Sequence, residues 1–425
     1  MKERIGTTLR GQNLANKEGQ MSKRTTLVSI DVGTTKVCTT IADVNDGGDI
    51  RVAGVGVTPS RGLHKGLVVN INEARESIRE SVRKAEQISG YRVESAYVGV
   101  TGRHVSSLNN RGVVAITRND RLVRPDDLRR VLTCAQSVKV ASDRKLLHVI
   151  PRGYAVDGQV GVKNPVGMHG FRLDVETHVI TAATTSVQNL VKCIRGIGVD
   201  IDDLILEPLA SGEAVLTEDE KEVGIILADI GGGTTDIAVF KDGSIWHTAI
   251  LPVAGYQLTR DVAIGLGLPF DVAEEMKKRY GSVMPVYESK IETTGAISED
   301  GHGVSYQDLC DIIRARIEEI IRLILLEMPR SEYEALVPAG LVLTGGTANL
   351  SGIDALGREI LQLPVRVGIP TDVSGITDTL RDPAYATSVG LLLWGTKHKT
   401  SQVWKSHGFG SGLRRLVSRI KNLFF

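Results

Sequence analysis

A short motif occurs twice in this chain, and the two copies lie 198 positions apart. Each copy is an apolar segment that ends in an aspartate, followed by a glycine turn, two threonines and a second apolar segment. The copies are residues 29–37 (SIDVGTTKV) and 228–237 (ADIGGGTTDI). Solenoid repeats have periods of roughly 20–50 residues. A repeat at this much larger distance therefore indicates a duplicated domain.

The sequence around both copies alternates between strand and helix patterns. Apolar and β-branched runs predict strands at 26–31, 36–42, 95–100, 222–230 and 340–344. Apolar residues that recur every three or four positions predict helices at 72–89, 258–265, 269–280, 305–327 and 383–394. This alternation is typical of the α/β class.

Residues 104–177 have a different pattern. Short strand-like runs at 112–117, 145–150 and 177–182 surround one helix that opens at Pro125. We interpret this segment as a small α+β insertion. A chain of 425 residues is also too long for one core, since domains average about 150 residues.

Composition excludes several classes of function. Aromatic residues make up 4% of the chain and the net charge is +1, which argues against a nucleic-acid-binding protein. The four cysteines are scattered without a CxxC pair, so neither a zinc site nor a disulfide framework is predicted. We find no run of about 18 apolar residues and no apolar core of the signal-peptide type near Met1.

The repeated turns have the chemistry of a phosphate site. Glycines let successive backbone N–H groups point at an anion, and threonine hydroxyls add donors. An aspartate at each strand end can hold Mg²⁺ through its retained waters. A third turn at 343–349 (LTGGTAN) suits close approach of a nucleoside. One such turn alone is more often an ordinary hairpin, but three, two of them matching, favour a nucleotide site. Neither a P-loop nor a Rossmann motif is present.

These turns resemble the phosphate and adenosine motifs of the superfamily that contains actin, the DnaK-type chaperones and the sugar kinases. Over residues 25–425 the chain more specifically resembles the FtsA family, the actin-like membrane tethers of bacterial cell division. The segments that carry this resemblance are HVIPRGYAVDG, NPVGMHG, EPLASGEAVL, DIGGGTTDIAVF, AGYQLTRDVAIGL and LTGGTANLSG.

The resemblance implies that the nucleotide is ATP and that Asp31 and Asp229 hold Mg²⁺ through water. It assigns the first phosphate turn to Asp31, Gly33, Thr34, Thr35 and Lys36, and the second to Gly231, Gly232, Gly233, Thr234, Thr235 and Asp236. It places Gly345, Gly346 and Thr347 beside the adenosine, and Glu274, Lys277 and Lys278 beside the purine and ribose. A solvated helix face explains the last three equally well. Glu207 matches an acidic residue near the metal, although a charge at a helix N-terminus is an equal explanation.

The resemblance also implies a two-lobed actin-like fold of subdomains 1A, 2A and 2B, with a 1C insertion in place of the 1B subdomain of actin. The expected layout is a disordered extension at 1–24; subdomain 1A at 25–103, 178–221 and 384–396; 1C at 104–177; 2A at 222–257 and 336–383; 2B at 258–335; a flexible linker at 397–411; and an amphipathic helix at 412–425.

The C-terminal segment is basic and amphipathic. Residues 397–425 carry seven Lys and Arg and no acidic residue, which leaves 44 basic against 50 acidic side chains in the rest. Wound as a helix, the segment separates an apolar arc from a basic face, with only Phe425 out of place. The residues expected to contact a membrane are Leu413, Arg414, Arg415, Leu416, Val417, Arg419, Ile420, Lys421, Leu423 and Phe424. A helix docked on the protein body is the alternative, but the absence of acidic residues favours an anionic membrane surface.

By resemblance, the function is a filament-forming adaptor at the division septum, on the cytoplasmic face of the membrane. Its expected partners are further copies of itself, later division proteins and the C-terminal peptide of the tubulin-like protein FtsZ, which would dock near Arg314 and Arg316. Ordinary salt bridges explain those arginines equally well. The alternatives are a pilus-assembly adaptor, or a sugar kinase or ATPase with the same fold. Because no catalytic base can be identified in the sequence, we expect a slow ATPase at most.

Overall fold

The computed structural model describes residues 25–45, 47–137, 140–284, 305–328 and 337–398. The predicted N-terminal extension and the predicted amphipathic helix at 412–425 lie outside these ranges. Within them, no helix combines the length and the apolar character needed to cross a membrane.

The strands are β1 (Thr25–Val32), β2 (Lys36–Val44), β3 (Ile50–Pro59), β4 (Leu63–His64), β5 (Leu67–Val68), β6 (Ser95–Val100), β7 (Val105–Ala115), β8 (Arg144–Val156), β9 (Gln159–Val162), β10 (Arg172–Ala183), β11 (Asp200–Leu206), β12 (Ile225–Ile230), β13 (Thr235–Lys241), β14 (Ser244–Leu251), β15 (Leu341–Thr344), β16 (Val365–Val367) and β17 (Ser374–Gly375). The helices are α1 (Ile71–Ser89), α2 (Pro125–Gln136), α3 (Thr184–Arg195), α4 (Glu207–Val215), α5 (Glu218–Val223), α6 (Gly255–Leu266), α7 (Phe270–Tyr280), α8 (Tyr306–Leu326), α9 (Ile353–Leu361) and α10 (Ala386–Lys397).

Two sheets with the same strand order form the two lobes. The first has the order β3-β2-β1-β6-β11, with β17 added beyond β3, and the second has the order β14-β13-β12-β15-β16. In both, three antiparallel strands are followed by two parallel ones. The duplicated α/β architecture predicted from the repeated motif is therefore confirmed.

The strand pairing also shows how the two motif copies correspond. Val32 pairs with Val37 and Ile230 pairs with Thr235, so each turn has four residues between paired ends. Counted from these pairs, the position of Lys36 in the first lobe corresponds to that of Thr234 in the second. The threonine pairs, which look equivalent in the sequence, therefore occupy different positions in the two turns.

Helix packing follows the predicted apolar faces. Helix α1 begins at the N-cap Asn70, whose side chain accepts the N–H groups of Asn72 and Glu73, and it ends at Gly90, which has a positive φ of 74°. Its buried face lies on the first sheet. In the second lobe, α8 buries five isoleucines, at positions 313, 317, 320, 321 and 324.

The inserted domain is a four-stranded sheet with the order β7-β10-β8-β9, and α2 packs on β7 and β10. Its strand β10 continues to Ala183, so the sheet extends beyond the predicted boundary at residue 177. The domain also contacts β14 of the second lobe. There Ser107 Oγ donates to the carbonyl of Thr248 over 3.0 Å, and a ring nitrogen of His178 lies 2.9 Å from Thr248 Oγ1.

Several predicted boundaries differ from the structure, including the following three. The strand predicted at 222–230 begins at Ile225, because a capping box between Thr217 and Glu220 starts a helix that includes residues 222 and 223. The helix predicted at 383–394 is a 3₁₀ turn at Pro383–Tyr385 followed by α10. Lys397, predicted to lie in a linker, ends α10 and forms an ion pair with Glu213.

Candidate functional site

The two glycine-threonine turns face each other across the cleft between the lobes. A Cβ built on Gly232 would lie 3.2 Å from Thr35 Oγ1 and even closer to its methyl group, and a Cβ on Gly233 would lie 2.5 Å from Thr34 Oγ1. The turns are thus in direct contact, and only glycine fits at these two positions. The strands β1 and β12 both end here, which explains why the motif copies meet.

Helix α10 connects the aspartates of the two lobes. Ser388 Oγ donates to Asp31 Oδ2 over 2.9 Å, and its neighbour Thr387 donates to Asp229 Oδ2 over 3.1 Å. Ser211 of α4 donates to the same oxygen of Asp229 over 2.5 Å. Sequence reasoning missed these three hydroxyl residues. Their signal is a small polar side chain within an otherwise apolar helix, as in ATSVGLLLWG.

Four carboxyl groups are buried at this point, those of Asp31, Glu207, Asp229 and Asp236. Burial raises the pKa of each one above its ordinary value. The negative charge of the neighbouring aspartates raises the pKa of Glu207 further, well above the usual range. The pKa of Asp236 rises to about 7 although Thr101 and Thr234 donate hydrogen bonds to it. This cluster would be stabilised by a cation.

The carboxyl groups of this cluster could hold a hydrated cation. Within the described ranges, no three acidic, histidine or cysteine side chains converge closely enough to bind a metal directly. Mg²⁺ characteristically keeps several waters and binds through one or two carboxylates. The nearby Lys36 partly offsets the negative charge and lowers the pKa of Asp31. Its ammonium donates to the carbonyl of Ala384 over 2.5 Å and lies 4.7 Å from the ring centroid of Tyr385.

The third predicted turn packs against the second. Gly345 has a φ of 85°, and a Cβ there would collide with Asp229 and with the carbonyl of Ile230. Thr347 Oγ1 donates to the carbonyl of Gly231 over 3.0 Å, and the N–H of Gly255 donates to the same carbonyl over 3.1 Å. The third turn and the N-terminus of α6 therefore both border the second glycine-threonine turn.

The structure separates the three charged residues predicted on α7. Lys277 is buried and donates to Glu274 over 2.6 Å, to Thr259 Oγ1 over 2.8 Å and to the carbonyl of Gly255 over 3.3 Å. Burial lowers the pKa of Lys277, and Glu274 partly reverses that effect. This pair thus supports the start of α6, next to the second turn. Lys278 has a side chain that is 68% exposed, and among the described residues it reaches only Glu274.

Arg314 and Arg316 are both engaged within the second lobe. Arg314 reaches Glu359 through two hydrogen bonds of 3.0 Å, and it also donates to Glu318 and to the carbonyl of Val283 over 3.0 Å each. Arg316 donates to Asp261 over 2.5 Å. Each arginine side chain is 25% exposed, so part of each remains accessible to a partner.

Comparison with known sequences identifies related proteins over nearly the whole chain. Residues 226–390 match the family described as "Cell division protein FtsA", and residues 102–181 match the family described as "SHS2 domain inserted in FTSA". The second match covers the inserted domain. The chain is 45% identical to the FtsA of Pseudomonas aeruginosa over 88% of its own length and 90% of the relative's. It is 40% identical to the FtsA of Neisseria meningitidis over 93% and 98% of the two lengths.

Solved structures with the same fold include two proteins with low sequence identity to this chain. A structure titled "PilM-PilN type IV pilus biogenesis complex" has a TM-score of 0.62 at 17% identity and covers 87% of this chain and 98% of the other. The structure of MreB5 of Spiroplasma citri bound to ADP has a TM-score of 0.50 at 14% identity and covers 88% and 95%. These matches show that the two lobes have an actin-like fold.

Proposed function

The chain belongs to the FtsA family of cell-division proteins, and from this premise we propose that it is an ATP-binding adaptor that tethers the FtsZ ring to the cytoplasmic face of the cell membrane at the septum. The observation that supports nucleotide binding is the direct contact between the two turns. A buried aspartate lies on each side of this contact, and both aspartates accept hydrogen bonds from neighbouring hydroxyl groups of α10. A ligand bound in this cleft would contact both lobes and fix their relative position.

In this proposal each group in the cleft has one task. The backbone N–H groups of the two glycine turns and the hydroxyls of Thr34 and Thr35 bind phosphate oxygens. Asp31 and Asp229 hold Mg²⁺ through water, and the metal offsets the negative charge of the phosphates and of the carboxylate cluster. The third turn borders the adenosine. The MreB5 structure, solved with ADP, supports the choice of an adenine nucleotide.

Two substitutions test the nucleotide site. Asp229→Ala removes a carboxylate from the metal site, and Gly232→Asp places one against the phosphates and against Thr35. Both should abolish binding of Mg²⁺-ATP, measured by fluorescence titration. Gly153→Asp is the matched control, because a Cβ there meets no atom within 4 Å. If both site variants bind ATP like the parent, the proposed clamp of two turns is wrong.

We expect slow hydrolysis. The binding elements are plain in this chain, whereas no base positioned to activate water can be identified in its sequence, and an adaptor needs none for attachment. A turnover within the usual enzyme range of roughly 1–1000 per second would instead favour an ATPase or a kinase.

Attachment to the membrane rests on the sequence of residues 412–425, which lie outside the described ranges. Replacing Leu416 and Ile420 by glutamate removes about 1.5–3 kcal/mol of apolar burial per residue. Four cations supply about 1 kcal/mol each on an anionic leaflet. The double variant should therefore no longer co-sediment with anionic liposomes, while its ATP binding stays intact. Persistent co-sedimentation would contradict the membrane proposal and favour a helix that docks on protein. A pilus-assembly adaptor would also not need this segment.

The partner proposal concerns the surface around Arg314 and Arg316, where the C-terminal peptide of FtsZ would dock. Each arginine is partly exposed and already paired with acidic residues, so an acidic peptide would have to compete with Glu359 or Asp261. Arg314→Ala and Arg316→Ala should weaken binding of that peptide in pull-down assays. Unchanged binding in both variants would remove the arginines from the interface. Self-association into filaments and recruitment of later division proteins complete the proposed role.

A further inference from the structure

A small hairpin, formed by β4 and β5, covers both phosphate turns. The N–H of Gly66 at its tip donates to Thr34 Oγ1 over 3.2 Å. A Cβ built on Gly233 would lie 3.0 Å from the Cα of Lys65, so the tip also touches the second turn. On its other side, Gly66 packs on the backbone of Gly102, because a Cβ built on Gly66 would lie 2.9 Å from the Cα of Gly102. The tip is thus held in place from three directions.

The hairpin also reaches the second lobe through aromatic rings. The ring of His64 meets that of Tyr256 edge-on, with centroids 6.1 Å apart and an angle of 89° between planes. Tyr256 in turn packs against Phe270 at 4.9 Å, and its N–H donates to the carbonyl of Gly232 over 2.7 Å. The hairpin is therefore fixed relative to the second turn as well as the first.

Lys65 occupies an unusual backbone conformation at this tip. Its φ of 48° lies in the left-handed region, which costs a residue with a side chain on the order of 1 kcal/mol. Its side chain is partly buried, and in the described part of the chain its ammonium has neither a hydrogen bond nor an ion pair. Lys36, by contrast, is bound to Ala384. A lysine whose ammonium is unpaired among the described residues thus has its backbone next to both glycine-threonine turns.

We propose that Lys65 contacts the phosphate chain of the bound nucleotide, as a cation supplied by an element outside the three turns. This inference rests on the proposed nucleotide site. The phosphates carry several negative charges into a cleft that already contains four buried carboxyl groups, so a second lysine at the turns complements the ligand. A charge-assisted hydrogen bond from an ammonium to phosphate is among the stronger polar interactions in proteins.

The test compares ATP, ADP and adenosine as ligands of the full-length chain. In Lys65→Asn the charge is removed while the backbone conformation is kept, since asparagine tolerates the left-handed region better than most residues. We expect the affinity for ATP and ADP to fall about tenfold or more, with the affinity for adenosine unchanged. Lys65→Arg should retain most of the affinity. Lys192→Asn, which changes an exposed lysine of α3, should have no effect.

Each outcome decides a different point. If the parent binds neither ATP nor ADP, the proposed nucleotide function fails. If the parent binds ATP and Lys65→Asn binds it equally well, the role of Lys65 is refuted while the site stands. A loss of adenosine affinity equal to the loss of ATP affinity would also refute it, because the effect would then arise from the fold. Thermal unfolding of each variant identifies that case.

Discussion

Replacing Gly390 by alanine should force apart the two helices that support the carboxylate cluster. Gly390 of α10 faces Ala210 of α4, and a Cβ built on Gly390 would lie 1.8 Å from the carbonyl oxygen of Ala210. Real Cβ contacts essentially never fall below 3.0 Å, so the helices must separate by roughly 1 Å. The opposing atom belongs to the backbone, and no rotamer change can relieve the collision.

The magnitude follows from what this separation disturbs. Overpacking a tight core costs about 1–3 kcal/mol. The same helices carry Thr387, Ser388 and Ser211, whose hydrogen bonds to buried aspartates are each worth about 1.5–3 kcal/mol. Alanine regains about 1 kcal/mol in helix propensity. We expect the free energy of unfolding to fall by about 2–4 kcal/mol, together with weaker nucleotide binding.

Urea denaturation of the parent and the variant measures this loss. Gly265→Ala is the matched control, because it also adds a methyl group to a helix but meets the flexible end of the Ile312 side chain at 2.5 Å. It should change stability by less than about 1 kcal/mol. If Gly390→Ala is as stable as Gly265→Ala, the two helices are not in the contact described here, and the argument is refuted.

Two further predictions concern ionisable groups. Burial raises the pKa of Asp236 from 3.8 to about 7, so its stabilising contribution is complete below about pH 4 and is lost as the pH rises through 7. Without nucleotide and Mg²⁺, the free energy of unfolding of Asp236→Asn, relative to that of the parent, should therefore be higher at pH 8 than at pH 5. An equal difference between variant and parent at both pH values would contradict the raised pKa. Lys221 is buried between Glu213 at 3.0 Å and Glu218 at 3.1 Å, so Lys221→Met should cost roughly 2–4 kcal/mol in urea denaturation. Lys163→Met removes an exposed ion pair with Glu222 and should cost less than about 1 kcal/mol. Equal losses of stability in Lys221→Met and Lys163→Met would show that burial does not determine the effect.

Much of the fold could be predicted because it depends on local patterns. Long apolar runs and helical spacing located the main strands and helices, and the repeated motif predicted the two lobes. The boundary at 222–230 was wrong because Val223 is apolar yet 52% exposed at the end of a helix. The predicted limit of the inserted domain at residue 177 falls within β10, which runs without interruption from Arg172 to Ala183.

The site was predictable only where its residues stand next to each other in the sequence. The glycine turns and their aspartates form a recognisable string. The hydroxyls of Ser211, Thr387 and Ser388 are far from Asp31 and Asp229 in sequence, and tertiary packing alone brings them together. The hairpin that carries Lys65 has two-residue strands, which are too short for any periodic pattern.

The matching strand orders of the two lobes hide a chemical asymmetry that gives the cleft a direction. Strand pairing places Cys38 of the first lobe at the position that Asp236 occupies in the second. Burial raises the pKa of the Cys38 thiol to about 11, so this position is neutral in one lobe and acidic in the other. The first lobe in turn has Lys36 where the second has Thr234. Two lobes with identical chemistry would bind an elongated ligand equally well in either orientation. The different residues at these paired positions would instead favour one orientation of such a ligand.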